Sequence, residues 1–198
     1  MNSNKLVLLW GDLETGGLNG RLDNGELGMN YYPIFEIAII VTDLELEPIG
    51  EPLRLVIHQS DDVISRSHEW AIDTHTKSGL LKDVRESGIT LEQAETLIIE
   101  YLNNLGINKY DRKKQSGAIF AGNSISFDRS FLMCQMPTLS DFMHYRQLDI
   151  SALNIAFRFW LPELANSITK EYSHEALADI KESIQEAKTY KEYIQFKK

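Results

Sequence analysis

The stretch Leu6-Val7-Leu8-Leu9-Trp10-Gly11-Asp12-Leu13-Glu14-Thr15-Gly16-Gly17-Leu18 constrains the chain more than any other. An apolar run of five residues stops at a glycine, and a glycine pair follows. This predicts a buried central strand over residues 6–10 that runs out into a turn. Side chains alternate along an extended backbone, so Asp12 and Glu14, two positions apart, project from the strand end to the same side. Two carboxylates placed side by side repel, and a hard divalent cation with oxygen ligands is the usual counter-charge. A solvated strand end explains the pair equally well unless other acids converge on it.

The chain has 198 residues, 43% of them hydrophobic, and 12 glycines, which suits one globular domain able to bury a sizeable core. Apolar runs of about five residues fall far short of a membrane span. Met1-Asn2-Ser3-Asn4-Lys5 lacks the apolar core of a signal peptide, so the expectation is a cytoplasmic protein. Cys134, the single cysteine, lies in an apolar helical pattern and reads as a buried free thiol. The formal net charge of −9 argues against a long basic groove. The ligand is then either no polyanion, or a short one held by metal ions and a few specific groups. The only dense basic stretch, Lys109, Arg112, Lys113 and Lys114, reads most simply as a solvated loop, with phosphate contact the sharper alternative.

Residues 16–32 are rich in Gly, Asn and Asp and form a long loop, of the kind that tends to be functional or mobile. Residues 34–43 are a second apolar run, broken by Glu36, and Leu53, Leu55 and Ile57 alternate with Arg54, Val56 and His58 as a third strand. Three strands in succession suggest an antiparallel start. Residues 61–82 read as short helices and turns. Thr90-Leu91-Glu92-Gln93 is a capping box opening a helix with Leu91, Ala94, Leu97, Ile98, Tyr101, Leu102 and Leu105 at helical spacing. A short strand over 117–122 leads through Asn123 to Asp128 into a helix stopped by Pro137. Residues 142–150 read as another strand, 151–160 as a helix opened by Ser151, and a last helix starts near Ser173-His174. This order implies a mixed sheet flanked by helices, with ligands at strand ends beside helix starts.

That is where Asp12, Glu14, Asp128 and His174 fall. Asp179 follows His174 by five residues, which rotates about 140° on a regular helix, so the two converge only if His174 lies in the entry turn. Alone, Asp128 is a helix N-terminal acid and Asp179 a surface acid. As a set in this order, four carboxylates and a histidine are harder to dismiss.

At these residues the chain resembles the DEDDh exonucleases, and within them the oligoribonuclease family. Gly11 to Leu18 resembles the first exonuclease motif, Gly122-Asn123-Ser124-Ile125 through Asp128-Arg129 the second, and His174 to Ser183 the third, with the His-to-Asp spacing of the h subtype. Val56 to Asp61, Thr74 to Leu80 and His144 to Ser151 also match, so the likeness covers nearly the whole chain. The resemblance implies an α/β, ribonuclease H-like fold with a mixed five-stranded sheet flanked by helices. It also implies removal of mononucleotides from the 3′ end of very short RNAs, dinucleotides especially. Two divalent cations, Mg²⁺ or Mn²⁺, would be held by Asp12, Glu14, Asp128 and Asp179, with His174 as general base.

By the same resemblance, Leu18 wedges between the two terminal bases, and Trp70 and His75 line the substrate pocket. Ser124, Tyr145, Arg146 and Ser151 recognise the distant 5′-phosphate, Tyr145 and Arg146 reaching across a homodimer. Core aromatics (Trp70, Tyr145), a loop anchor (Leu18) and a surface ion pair (Arg146) are the plainer alternatives. The loop between Leu18 and Glu36 is longer than the family pattern, which marks an insertion at about 19–33; it reads as a mobile surface insertion, with a substrate-contacting lid as the alternative because it follows directly on the wedge residue. Trimming of DNA 3′ ends is the runner-up activity. A silent nucleic-acid-binding domain is the third reading, and clustered acids would give such a domain nothing.

Overall fold

The computed structural model describes residues 5–168 and 175–196. Along the described chain run β1 (Leu6–Thr15), α1 (Gly28–Tyr31), β2 (Ile34–Thr42), β3 (Leu53–Val56), α2 (Asp61–Ile64), α3 (Glu69–Lys77), α4 (Leu80–Glu86) and α5 (Leu91–Asn104). There follow β4 (Gly117–Gly122), α6 (Ser126–Gln135), α7 (Pro137–Phe142), β5 (Gln147–Asp149), α8 (Ile150–Trp160), α9 (Pro162–Asn166) and α10 (Ala176–Phe196). The strands form one sheet in the order β3-β2-β1-β4-β5. β3, β2 and β1 are antiparallel, as three consecutive strands suggested, and β4 and β5 join parallel to β1. This is the mixed five-stranded, helix-flanked sheet of the ribonuclease H-like class.

Alternation along β1 sorts its side chains between two cores. Val7, Leu9 and Leu13 join Ile37, Ile39 and Val41 of β2 under α5, α6 and α7. Leu8 and Trp10 join Ala38 and Ile40 under α8, α9 and α10. β2 is buried along all nine residues, which is why it reads as an almost unbroken apolar run. The capping box on α5 is complete: Gln93 N donates to Thr90 Oγ1 at 3.2 Å and Thr90 N to Gln93 Oε1 at 2.9 Å.

Four local expectations need correction. β1 does not end at Trp10 but continues to Thr15, because β2 keeps its ladder to the pair Thr15–Ile34. Residues 142–150 are not one strand: Pro137 opens α7 as well as ending α6, and only Gln147–Asp149 pairs with β4. α8 is capped by Asp149, whose carboxylate accepts from Ser151 N and Ala152 N, and not by Ser151. Cys134 is exposed rather than buried, since the core-facing side of α6 is taken by Phe131 and Leu132. The expected start of the last helix at Ser173-His174 lies outside the described residues.

One buried polar link ties the sheet centre. Trp10, fully buried, donates its indole Nε1–H to Thr42 Oγ1 at 2.9 Å. Thr42→Val keeps the shape but strands that N–H, and the expected outcome in urea unfolding is a loss of about 1–3 kcal/mol.

Candidate active site

β1 outruns its parallel neighbour. The ladder to β4 stops at Trp10–Ala121, whereas β1 continues to Thr15, so its β4-facing backbone edge needs another partner. Asp128, in the first turn of α6, supplies one: its Oδ1 accepts from Leu13 N at 2.9 Å. The chain reaches α6 through Ser124, whose positive φ of 50° turns the backbone out of β4. Asp128, 4% exposed, therefore stands in line with the end of β4 and next to β1.

Asp12 and Glu14 share the parity of Leu8 and Trp10, so both face the α10 side of the sheet. Asp179 lies in the first described turn of α10, the helix that packs on β1 and β2. A fifth acid, Glu36, sits directly opposite Glu14 on β2. Burial first, then the charges of Asp179 and Glu36, push the Asp12 carboxyl from 3.8 to about 7. Burial and the charges of Asp12, Glu36 and Asp179 push Glu14 from 4.5 to about 8. Burial, followed by the charge of Asp12, also holds Asp128 well above the usual range.

The four acids expected from the sequence thus feel one another's charge. Among the described residues no three His, Cys, Asp or Glu side chains form a ready ion cage, so charge and the Leu13 amide, rather than a closed ligand set, connect them. His174 lies outside the described residues. The sequence marks Glu36 only as the acid that breaks the apolar run of β2; its place beside the other acids comes from the strand register. Arg54 from β3 donates to its Oε2 at 2.6 Å, and that bond raises the Arg54 pKa.

On the other side of Glu14 opens a cleft of about 670 Å³. Leu18, Trp70 and His75 line it as expected, and Tyr32, His68 and Phe127 line it without having been singled out. Leu18 is 74% and Trp70 61% exposed, so neither is a core residue. His75 is buried, its Nε2 3.2 Å from Thr15 O and 3.8 Å from Glu14 Oε2. Gly28 passes so close to the Leu18 backbone that any Cβ there would overlap the Leu18 carbonyl oxygen. Arg21 and Leu22 also line the cleft, so the segment at 19–33 contributes to its wall.

Ser124 and Ser151 meet beyond the ends of β4 and β5. Ser124 N donates to Ser151 Oγ at 3.0 Å and to Asp149 Oδ1 at 3.1 Å, and Ser151 Oγ donates to Asn123 Oδ1 at 3.1 Å. Tyr145 and Arg146 are elsewhere. His144 N bonds Ala118 O, and Ala118 lies opposite Val7, so Tyr145 sits some five residues down the sheet from Asp12 and two strands across. At about 3.3 Å per residue and 4.8 Å per strand, the separation is roughly 19 Å, beyond the reach of an arginine.

The sequence profile described as Exonuclease (RNase_T) matches residues 9–187. A probable oligoribonuclease of Dictyostelium discoideum is 39% identical over 193 residues, 96% of this chain and 92% of that protein. An oligoribonuclease of Haemophilus ducreyi is 39% identical over 194 residues, covering 96% and 97%. Among solved structures, exonuclease I from Methylocaldum szegediense superposes with a TM-score of 0.69 at 24% identity, over 94% of this chain and 40% of the other. Escherichia coli exonuclease I bound to an oligonucleotide gives 0.68 at 17%, over 95% and 41%. The chain spans about 40% of the length of these exonuclease I structures, and the likeness is one of fold.

A carboxyl whose folded pKa lies above its unfolded value stabilises the protein fully below the unfolded value and loses that contribution as pH rises through the folded one. For Asp12 and Glu14 the window runs from about pH 4 to about 8. In chelator, the melting temperature should fall across it. Glu14→Gln should flatten the fall and melt above the parent at pH 8.5, by about 2–4 °C for each kcal/mol of repulsion relieved, as read by scanning fluorimetry. Equal pH slopes for the two would refute the shared burial of charge.

Proposed function

The chain belongs to the exonuclease family, and from that premise we propose that it removes nucleoside 5′-monophosphates from the 3′ end of short oligoribonucleotides, dinucleotides especially. The observation that carries the reading is the group of buried, mutually repelling carboxylates at the end of β1, opening on a cleft with exposed Leu18 and Trp70.

Asp12, Glu14, Asp128 and Asp179 offer oxygen donors only, the donor set hard cations take, and their raised pKa values mark a site that gains from positive charge. Two divalent cations, Mg²⁺ or Mn²⁺, would supply Lewis-acid stabilisation of the scissile phosphate and make its attacking water more acidic. Asp12, which feels the charge of Asp179 and whose own charge is felt by Asp128, would hold the cations together with those two acids and Glu14. Asp128 spends one oxygen on Leu13 N, which fixes the direction of the other.

His174 takes the proton from the attacking water. The water oxygen bonds to phosphorus, the bond from phosphorus to the 3′ oxygen of the preceding nucleotide breaks, and that oxygen leaves and is protonated. Leu18 separates the two terminal bases, Trp70 presents a face for stacking, and His75 closes the pocket beside Glu14.

At the far end of the substrate, Ser124 and Ser151 contact the 5′-phosphate together with Tyr145 and Arg146 of a second protomer. A homodimer is what this reading requires, and the position of Tyr145 supports it: the ring is 64% exposed and too far from the acids of its own chain to serve them. A guanidinium fork on a terminal phosphate lets a protein of net charge −9 hold a short polyanion without a basic groove.

A panel of RNA and DNA oligonucleotides from dinucleotides upward, incubated with Mg²⁺ or Mn²⁺ and resolved by chromatography, tests the reading. Short RNA should yield 5′-monophosphates from the 3′ end. His174→Ala should lower kcat by about 10²–10⁴, and Asp12→Ala by at least as much with folding intact. Full activity in either variant, or a clear preference for DNA, would overturn it. Light scattering should give a dimer, and an active monomer would remove the cross-protomer roles.

A further inference from the structure

Glu36 is the one ionisable residue of β2, a strand otherwise apolar up to Thr42, and it is 4% exposed. The function proposed above gives it no part. It stands on the α10 side of the sheet, directly opposite Glu14, and the pair Asp12–Ala38 comes next on that face. Its charge reaches both acids of β1 and is among the causes that raise them.

Arg54 answers Glu36 from β3. Ala38 pairs with Arg54 and Glu36 with Val56, so Arg54 is the diagonal neighbour of Glu36 across the antiparallel ladder, on the same face. Its guanidinium donates to Glu36 Oε2 at 2.6 Å, lies 3.9 Å from Asp83 and feels the charge of Glu175. One face of the sheet thus carries two rows: Glu14 beside Glu36, and Asp12 beside Ala38 and Arg54.

Stability does not call for this pair. Replacing a buried ion pair by apolar side chains is often neutral or stabilising, and Ala38 and Ile40 on the same face of β2 are buried without a charge. The two members also differ in their contact with water. Arg54 is nearly half exposed and opens on a second cavity of about 510 Å³, which Glu14, Glu36 and His75 also line. Water therefore screens the guanidinium more than the buried carboxylate. The pair leaves a net pull on any cation held at Glu14, smaller than Glu36 alone would exert.

We propose that the Glu36–Arg54 pair sets how tightly the acids of β1 hold divalent cations: Glu36 strengthens the hold from the strand beside Glu14, and Arg54 restrains it. Glu36 Oε2 is committed to Arg54, so the pair acts through its field and adds no ligand. A divalent cation feels each member of the pair twice as strongly as a monovalent ion would. The inference rests on the reading of Asp12, Glu14, Asp128 and Asp179 as the cation site.

Mn²⁺ alone is the probe, added to the chelator-stripped full chain and followed by titration calorimetry and by the electron paramagnetic resonance of the free ion. Glu36→Gln keeps the shape and an acceptor for Arg54, and should weaken Mn²⁺ binding about tenfold. Arg54→Met keeps the stem and should tighten it about threefold, the smaller effect because water screens the lost charge. Arg54→Lys keeps the charge and should bind within about twofold of the parent. The opposite signs are decisive, since a pair that only braces the fold would move melting temperature and leave affinity alone, or lower it in both variants. Circular dichroism checks the fold of each, and were Glu36→Gln to unfold, Arg54→Met against Arg54→Lys gives the sign by itself. Weaker binding in Arg54→Met, or unchanged affinity in either neutralising variant, would overturn the proposal. Failure of the cation reading looks different: the parent would take up no Mn²⁺, or Asp12→Asn would bind it like the parent, and the proposal would fall with it.

Discussion

The hydrogen bond from the Leu13 amide to Asp128 is the joint on which the site depends. It exists because β1 is longer than β4. Where the parallel ladder stops, an unsatisfied backbone edge is left at the sheet centre, and burying an unpaired N–H is costly. A carboxylate on the first turn of α6 meets that need and is thereby fixed beside the two acids of β1. The same bond satisfies the strand end and fixes the position of the Asp128 carboxylate.

The price is electrostatic. Burial and proximity raise Asp12, Glu14 and Asp128 together, and Glu36 adds a further negative charge across the antiparallel ladder. Arg54 meets the charge of Glu36 and His75 stands 3.8 Å from Glu14. A fold selected for stability alone would not concentrate carboxylates at the middle of its sheet, and such local conflict is characteristic of functional sites.

The acids and the cleft walls come from different kinds of structure. The acids stand on strands and helix starts, which hold their positions. The cleft walls come from connections: Leu18 and Tyr32 from the chain between β1 and β2, and His68 and Trp70 from the start of α3. Tyr145 and Arg146 sit at the other end of the sheet, far from the acids of their own chain.

Local pattern carried a good deal of this. The apolar run and the acid pair at spacing two, the capping box at Thr90, the order of strands and helices, and the three acidic motifs are properties of neighbouring residues, and the sequence displayed them directly. The extension of β1 past Gly11, the shortness of β5 and the exposure of Cys134 depend on which partner lies alongside, and no local pattern encodes that. The role of Glu36 and the separation of Tyr145 from the acids are likewise facts of register, set by which residue of one strand faces which of the next. The sequence determined which acidic side chains the chain offers and in what order they come. Tertiary structure decided how close they lie, because burial and strand pairing set the distances over which like charges act.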